Sequence, residues 1–378
     1  MRSPQSGGRE AKSLRVNDIE YGFRHAYIRL HHLEKEIKIV SSIRVGGVSL
    51  LAAMSFSVNA AVAQTPTSRI VAAANAFLTT LDQAQRGRVL FGFDDDKQRA
   101  HWSNFPNQMV RRSGLSLGEL SAAQRSAALA VVSSALSPRG FEKVQQIVDA
   151  DEMLKTNERS NAMFGKDLDF ISFLGTPSDT KPWMLQFSGH HLAVNVTIVG
   201  EHGVLTPTLT GAQPALYTVN GKTIRPLGAE NDKAFALLNA LDETQRKQAI
   251  LSYRVADLVL GPGQDGKTIQ PEGLKATSMN EQQRAMLVDL ISEWSGIVHE
   301  SAAAARMAEV KAGLNETWFA WSGPTTVAPG RNGTSYYRIQ GPNLVIEYAP
   351  QSMGGDPSMH IHTMYRDPTN DYGRKVAK

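Results

Sequence analysis

The sequence predicts an α+β fold, a mainly antiparallel sheet covered by helices and built from two related helix-then-β-hairpin halves. Three observations carry this. Helix-opening signals come in pairs at the start of each half, strand-like alternation is grouped after the helices, and the strand runs are joined by turns as short as "GEHG" and "QGPN". Strands that follow helices and connect through short turns pair antiparallel rather than through parallel crossovers.

The helix signals are "LDQAQR" (81–86), "LSAAQR" (120–125), "LDETQR" (241–246) and "MNEQQR" (279–284). In each, Asp82, Ser121, Asp242 or Asn280 precedes a glutamine by three residues and opens an apolar-periodic run. This is a capping box: the short side chain accepts from a backbone N–H, and the glutamine reaches back to the cap. The intervals repeat, 39 residues from Asp82 to Ser121 and 38 from Asp242 to Asn280. Helices are therefore expected over 68–87, 121–136, 139–158, 231–240, 243–260 and 281–312. Alternation predicts strands over 182–188, 191–199, 203–210, 335–340, 343–349 and 359–365, and residues 262–278 read as a long loop.

The halves also end alike. "FLGTPSDTKPWMLQFSGHHLAVNVTI" (173–198) can be laid on "AWSGPTTVAPGRNGTSYYRIQGPNLVIEY" (320–348), which sets Gly189 against Gly341, Leu192 against Leu344 and Asn195 against Glu347. The expectation is an ancient duplication, with repeats of about 68–228 and 229–372 inside one domain spanning 64–378. Two coincident helix-then-hairpin units are the alternative.

Residues 45–63, "VGGVSLLAAMSFSVNAAVA", follow Arg44 and close on a small-x-small end. A basic start, an apolar centre and that ending describe a secretory signal peptide over 40–63; a membrane anchor is the alternative. Residues 1–39 are too long for a leader's basic region and read as an extension from a start codon called too early. Setting residues 1–63 aside removes 9 of the 40 basic residues and 5 of the 36 acidic ones, leaving 31 of each. No basicity then argues for nucleic acid or anionic lipid as a partner. The absence of cysteine excludes disulfides, thiolate metal sites and a cysteine nucleophile. The compartment expected is periplasmic or extracellular.

Seven histidines lie beyond residue 63, and four fall in two strand-like segments: His190 and His191, then His360 and His362. Positions i and i+2 of a strand share a face, so His360 and His362 present two imidazoles that can bind one ion. His190 and His191 are adjacent and point to opposite faces. Parity along "GHHLAVNVTIV" groups His190 with Leu192 and Val194, the core side, and His191 with Ala193, Asn195 and Thr197. Glu347 alternates with Leu344 and Ile346, and the aligned halves put it on the polar face with Asn195.

The expected constellation is His191, His360 and His362 as metal ligands, His190 as the alternate donor, and Glu347 as fourth ligand or general base. Three imidazoles leave one position on a divalent ion for water, whose pKa falls toward roughly 7. Zinc leads, with copper or iron as alternatives. "RDPTNDYG" (366–373) adds Arg366, placed to grip an anionic substrate, with Asp367 beside it; a structural turn is the other reading. Asn195, Arg338 and Asp371 are expected to line the pocket. "FDDDKQRAHWSNFP" (93–106) offers either a pocket wall or buried aromatics beside an ion pair. No nucleophile elbow, P-loop or dinucleotide fingerprint occurs. The functional expectation is a metal-dependent hydrolase or lyase acting on a small molecule; a non-catalytic metal or small-ligand binder is the alternative, and a purely structural histidine cluster a third.

"FSGHHLAVNVTIVG", "YYRIQGPNLVIEY" and "HIHTMYRDPTNDYG", with "FDDDKQRAHW" and "LSAAQRSAALAVVSSALSPRGF" upstream, resemble the domain-of-unknown-function 3500 family over essentially all of the chain after the leader. The resemblance implies a secreted bacterial protein with no established activity. Members usually carry Asn-His-Ile-His where this chain has Met359 before His360, and a family-type histidine beyond "DYGRKVAK" has no counterpart here. The leader reading predicts that the exported protein begins near Gln64, as N-terminal sequencing would show; a mature chain beginning near Met1 contradicts it.

Overall fold

The capping boxes form as the sequence predicts, and they fix the helical layer. In the computed structural model, which describes residues 64–158 and 162–377, Asp82 accepts from Gln85 N at 2.8 Å while Gln85 accepts from Asp82 N at 3.2 Å. The same exchange joins Ser121 with Gln124, Asp242 with Gln245, and Asn280 with Gln283. The helices are α1 (Pro66–Thr79), α2 (Gln83–Val89), α3 (Asp96–Arg99), α4 (Ala122–Ala135), α5 (Pro138–Glu158), α6 (Gly228–Ala240), α7 (Glu243–Ala249), α8 (Glu281–Ser295) and α9 (Glu300–Ala312).

The boxes are also wired in pairs, which accounts for their spacing. Gln124 Nε2 donates to Gln85 Oε1 at 2.9 Å and to Thr80 O at 2.9 Å. Gln283 Nε2 donates to Gln245 Oε1 at 2.8 Å and to Ala240 O at 2.8 Å. Each glutamine thus closes its own cap and satisfies the end of an earlier helix, groups that would otherwise lack partners.

Three expected helices are shorter than predicted. The run over 68–87 breaks before Asp82, because a residue that caps α2 leaves the helical conformation itself. The run over 243–260 stops at Ala249, where Ile250 turns extended and pairs with Trp321. The run over 281–312 divides at Gly296, and Val298 bridges to Leu136.

The strands are β1 (Leu90–Phe91), β2 (Leu115–Ser116), β3 (Phe170–Leu174), β4 (Trp183–Gly189), β5 (Leu192–Val199), β6 (His202–Val204), β7 (Thr208–Ala212), β8 (Tyr217–Val219), β9 (Lys222–Ile224), β10 (Leu274–Lys275), β11 (Trp318–Ser322), β12 (Tyr336–Gly341), β13 (Leu344–Pro350) and β14 (Ile361–Arg366). Twelve of them make one sheet in the order β1-β3-β4-β5-β7-β14-β13-β12-β11-β10, with β2 on β3 and β6 on β5. Pairing is antiparallel apart from β1 on β3. The fold is α+β, as the sequence predicts. The single strand expected over 203–210 is two, separated at Leu205–Pro207, since proline has no N–H for a ladder. Alternation missed β3 and β11, which are buried and apolar on both faces.

One face of the sheet carries Leu185, Phe187, Val194, Val196, Ile339, Ile346, Ile361 and Tyr365, which pack with Phe77, Val131, Leu237, Leu287 and Trp294 of the helices as one core. The opposite face is polar yet buried. It carries Gln186, Asn195, Arg338, Glu347, His362 and Arg366, and small apolar clusters there join Trp102, Leu258 and Tyr372 to sheet residues. At the centre β7 meets β14, with the Thr210 and Thr363 hydroxyls 2.7 Å apart and Trp294 Nε1 donating to Thr363 at 3.0 Å. Among the described residues no helix is long and apolar enough to cross a membrane. The expected extension and signal peptide lie outside the described residues.

Candidate metal centre

His191 is placed by a turn, so strand parity does not govern it. Gly189 and Leu192 close the β4–β5 hairpin over His190 and His191, and His191 adopts φ 61°, a conformation uncommon for a residue with a side chain. Its backbone is held on both sides, N donating to Asn104 O at 3.4 Å and O accepting from Gly211 N at 2.7 Å. A Cβ at Gly211 would lie 3.2 Å from His191 Cβ and Cδ2 and 2.8 Å from Ile361 O, so the ring needs glycine beneath it.

His360 precedes β14 and His362 lies within it, paired with Gly211 on one neighbouring strand and Ala349 on the other. Two small cross-strand partners leave room for the ring. His191 Nε2 is 2.9 Å from His360 Nε2, which is 3.1 Å from His362 Nε2. Met353 O lies 2.6 Å from His360 Nδ1. A carbonyl only accepts, so that nitrogen carries the proton and Nε2 keeps its lone pair. The Asp257 carboxylate, at 3.6 Å, and the Asn104 amide, at 3.4 Å, face His362 Nδ1.

The electrostatics keep these rings neutral. Burial first, then the neighbouring imidazoles, hold His191 well below the usual histidine range. Burial and His362 bring His360 down to about 4, and burial lowers His362 against the opposing pull of Asp257. Neutral imidazole is the form that binds metal. The three donor atoms lie within 4.8 Å of one another, and all three residues are buried. Nitrogens bound tetrahedrally at about 2.0–2.1 Å stand about 3.3–3.4 Å apart, so His360 and each of its two neighbours need part by only a few tenths of an ångström to hold an ion between them. The residues fit a metal ion.

Beside this set, His190 stacks on His191 with ring centroids 3.6 Å apart, and its Nδ1 is 2.7 Å from Asp151 Oδ1. Asp151 comes from α5, and its second oxygen accepts from Gly165 N at 2.6 Å. Arg112 NH2 donates to Ser103 O, Phe105 O and Gly189 O, tying the 103–112 loop to the strand end beside His190. Sequence reasoning missed Asp151, Asp257 and Arg112. Asp151 lies mid-helix and Asp257 in an irregular loop, and no local pattern marks either one. Asn104 had a signal: it sits in the aromatic segment 93–106 that offered a pocket wall.

Residues 63–374 match the family model described as "Protein of unknown function (DUF3500)". The chain belongs to the DUF3500 family. No curated protein and no solved structure matches it.

In this DUF3500 chain Glu347, Asn195, Arg338 and Arg366 stand on the same polar face but are engaged elsewhere, and Asp367 lies toward the helical side with Tyr365. Glu347 pairs with Met364 across the ladder, one step of the same face from the Ala349–His362 pair. Its oxygens accept from Val259 N at 2.7 Å, Leu260 N at 2.8 Å and the Tyr336 hydroxyl at 2.7 Å. Burial raises its pKa despite those donors. Asn195 donates to Pro207 O, and Arg338 pairs with Glu272 at 2.8 Å. Asp367 is held by Arg306 at 3.1 Å and by Thr369.

Arg366 is enclosed, not open to a substrate. It is 1 % exposed, and its donors go to Leu260 O, Gly261 O, Asp265 and Asp371, the last two at 2.9 Å. Burial pushes Asp371 up to about 6 against the pull of Arg366. The guanidinium therefore ties the 260–265 loop and the 367–371 turn to the sheet, the structural reading of that segment. Removing one partner of a buried network strands the rest, so Arg366→Met should lower unfolding free energy by about 3–5 kcal/mol in urea denaturation. A loss within about 0.5 kcal/mol, the usual surface value, contradicts that role.

Proposed function

We propose that this protein binds one divalent transition-metal ion through Nε2 of His191, His360 and His362, and uses the remaining coordination position for hydrolytic or lyase chemistry on a small molecule. The observation that carries the reading is the convergence of three buried, neutral imidazole nitrogens from two distant segments. One of them has its second nitrogen fixed by a backbone carbonyl, the outer-sphere pattern of metal-bound histidine. When bound, the ion supplies a Lewis acid and brings water toward ionisation near neutral pH. Zinc is the first choice, with copper or iron also suited to imidazole.

A second reading is a metal-binding protein without turnover. Burial favours it: His191, His360 and His362 are 2 %, 7 % and 5 % exposed, so substrate reaches the ion only if the chain that covers them shifts. Export through a leader over 40–63 belongs to the same proposal, since a cysteine-free chain needs no oxidative folding. So does an ancient duplication. It is supported by the twin capping networks and by register: Gly189 pairs with Leu192 and Gln186 with Asn195, as Gly341 pairs with Leu344 and Arg338 with Glu347.

Elemental analysis of protein purified without a histidine tag tests the metal. The wild-type chain should carry a divalent transition ion, and His360→Ala and His362→Ala should lose it while keeping wild-type circular dichroism. A metal-free wild type, after incubation with zinc and desalting, contradicts the proposal.

A further inference from the structure

The buried polar groups that the three-histidine set leaves unused include the pair Asp151 and His190, next to it. Asp151, His190 and His191 form a second group whose donor atoms lie within 4.8 Å of one another, all three residues buried. Its donors are chemically different from the first set, since it brings a carboxylate. That carboxylate is fixed in place: Gly165 N holds Oδ2, and Oδ1 is turned to His190 Nδ1.

The two sets share one residue. His191 commits Nε2 to the first, facing His360, so a second ion on this ring takes Nδ1 in place of its proton. An imidazolate with a metal on each nitrogen bridges two ions in the plane of its ring, and His190 lies against His191 with ring centroids 3.6 Å apart and the planes tilted by 31°. The charge balance also suits a second cation. Asp151 brings a carboxylate to the second set. Asp257 adds a further carboxylate at the far side, by His362. Ligand distances of about 2.0–2.2 Å require Asp151 and His190 to part by roughly half an ångström from their present hydrogen bond.

We propose that Asp151, His190 and His191 form a second divalent-cation site, so that the centre holds two ions bridged by the His191 imidazolate, the ring N–H proton passing to solvent as the second ion binds. This rests on the three-histidine reading and extends it. Asp151 serves here as a ligand; the competing structural role is only to orient His190.

Saturation of metal-free, untagged protein with Zn2+, followed by desalting and elemental analysis, separates the two roles. Two zinc ions per chain are expected for wild type, and one for both Asp151→Asn and His190→Gln, each checked for folding by thermal denaturation. A wild type that binds one ion overturns the second site while leaving the three-histidine centre standing. Two ions in wild type and still two in folded Asp151→Asn also overturn it, because the second ion then lies elsewhere. A wild type that binds none overturns both readings. Should Asp151→Asn fail to fold, folded His190→Gln makes the same comparison: one ion supports the site and two overturn it.

Discussion

The pairing of β7 with β14 is the constraint on which the rest of the structure depends. It joins the two halves into one sheet, and its register sets Gly211 opposite His362 and Ala212 opposite Ile361. β7 also pairs with β5, whose first residue Leu192 lies against Thr210. Through these two ladders the hairpin that carries His191 is brought against the strand that carries His362, although they are about 170 positions apart in the chain. The central threonines hold the seam, with Trp294 buried over them from the helical side.

That seam also explains why a polar site exists inside a well-packed domain. Helices cover one face of the sheet with a continuous apolar core. The other face is covered mostly by irregular chain, and irregular chain brings backbone groups that need partners. Glu347 and Arg366 meet that need by binding loop amides and carbonyls. The histidines at the edge of this face have one another and two carboxylates as neighbours, and burial leaves His191, His360 and His362 uncharged. A group of neutral imidazoles with converging lone pairs is a poor hydrogen-bonding arrangement and a good ligand set.

Much of this was legible in the sequence because it is written locally. Capping boxes are four-residue patterns, so all four helix starts were readable, and the repeated interval between them reflects glutamines that bridge two caps. The polar face was readable from alternation, which put Asn195 and Glu347 on one side. Helix ends were less so: α7 stops where Ile250 is captured by Trp321, a partner about 70 positions away. His191 was chosen by strand parity and reached the cluster through a turn with positive φ instead. Asp151 was invisible, since its partner lies across the fold and its own helix gives no hint. Arg366 looked like a substrate clamp because composition shows a charge and not its enclosure.

The central claim is that three imidazole nitrogens converge on one ion. X-ray absorption at the metal edge of the untagged protein tests it most directly. A first shell of nitrogen at about 2.0–2.1 Å, with the outer-shell scattering typical of imidazole rings, is the result this account predicts. A first shell of oxygen alone, with no imidazole scattering, would contradict it.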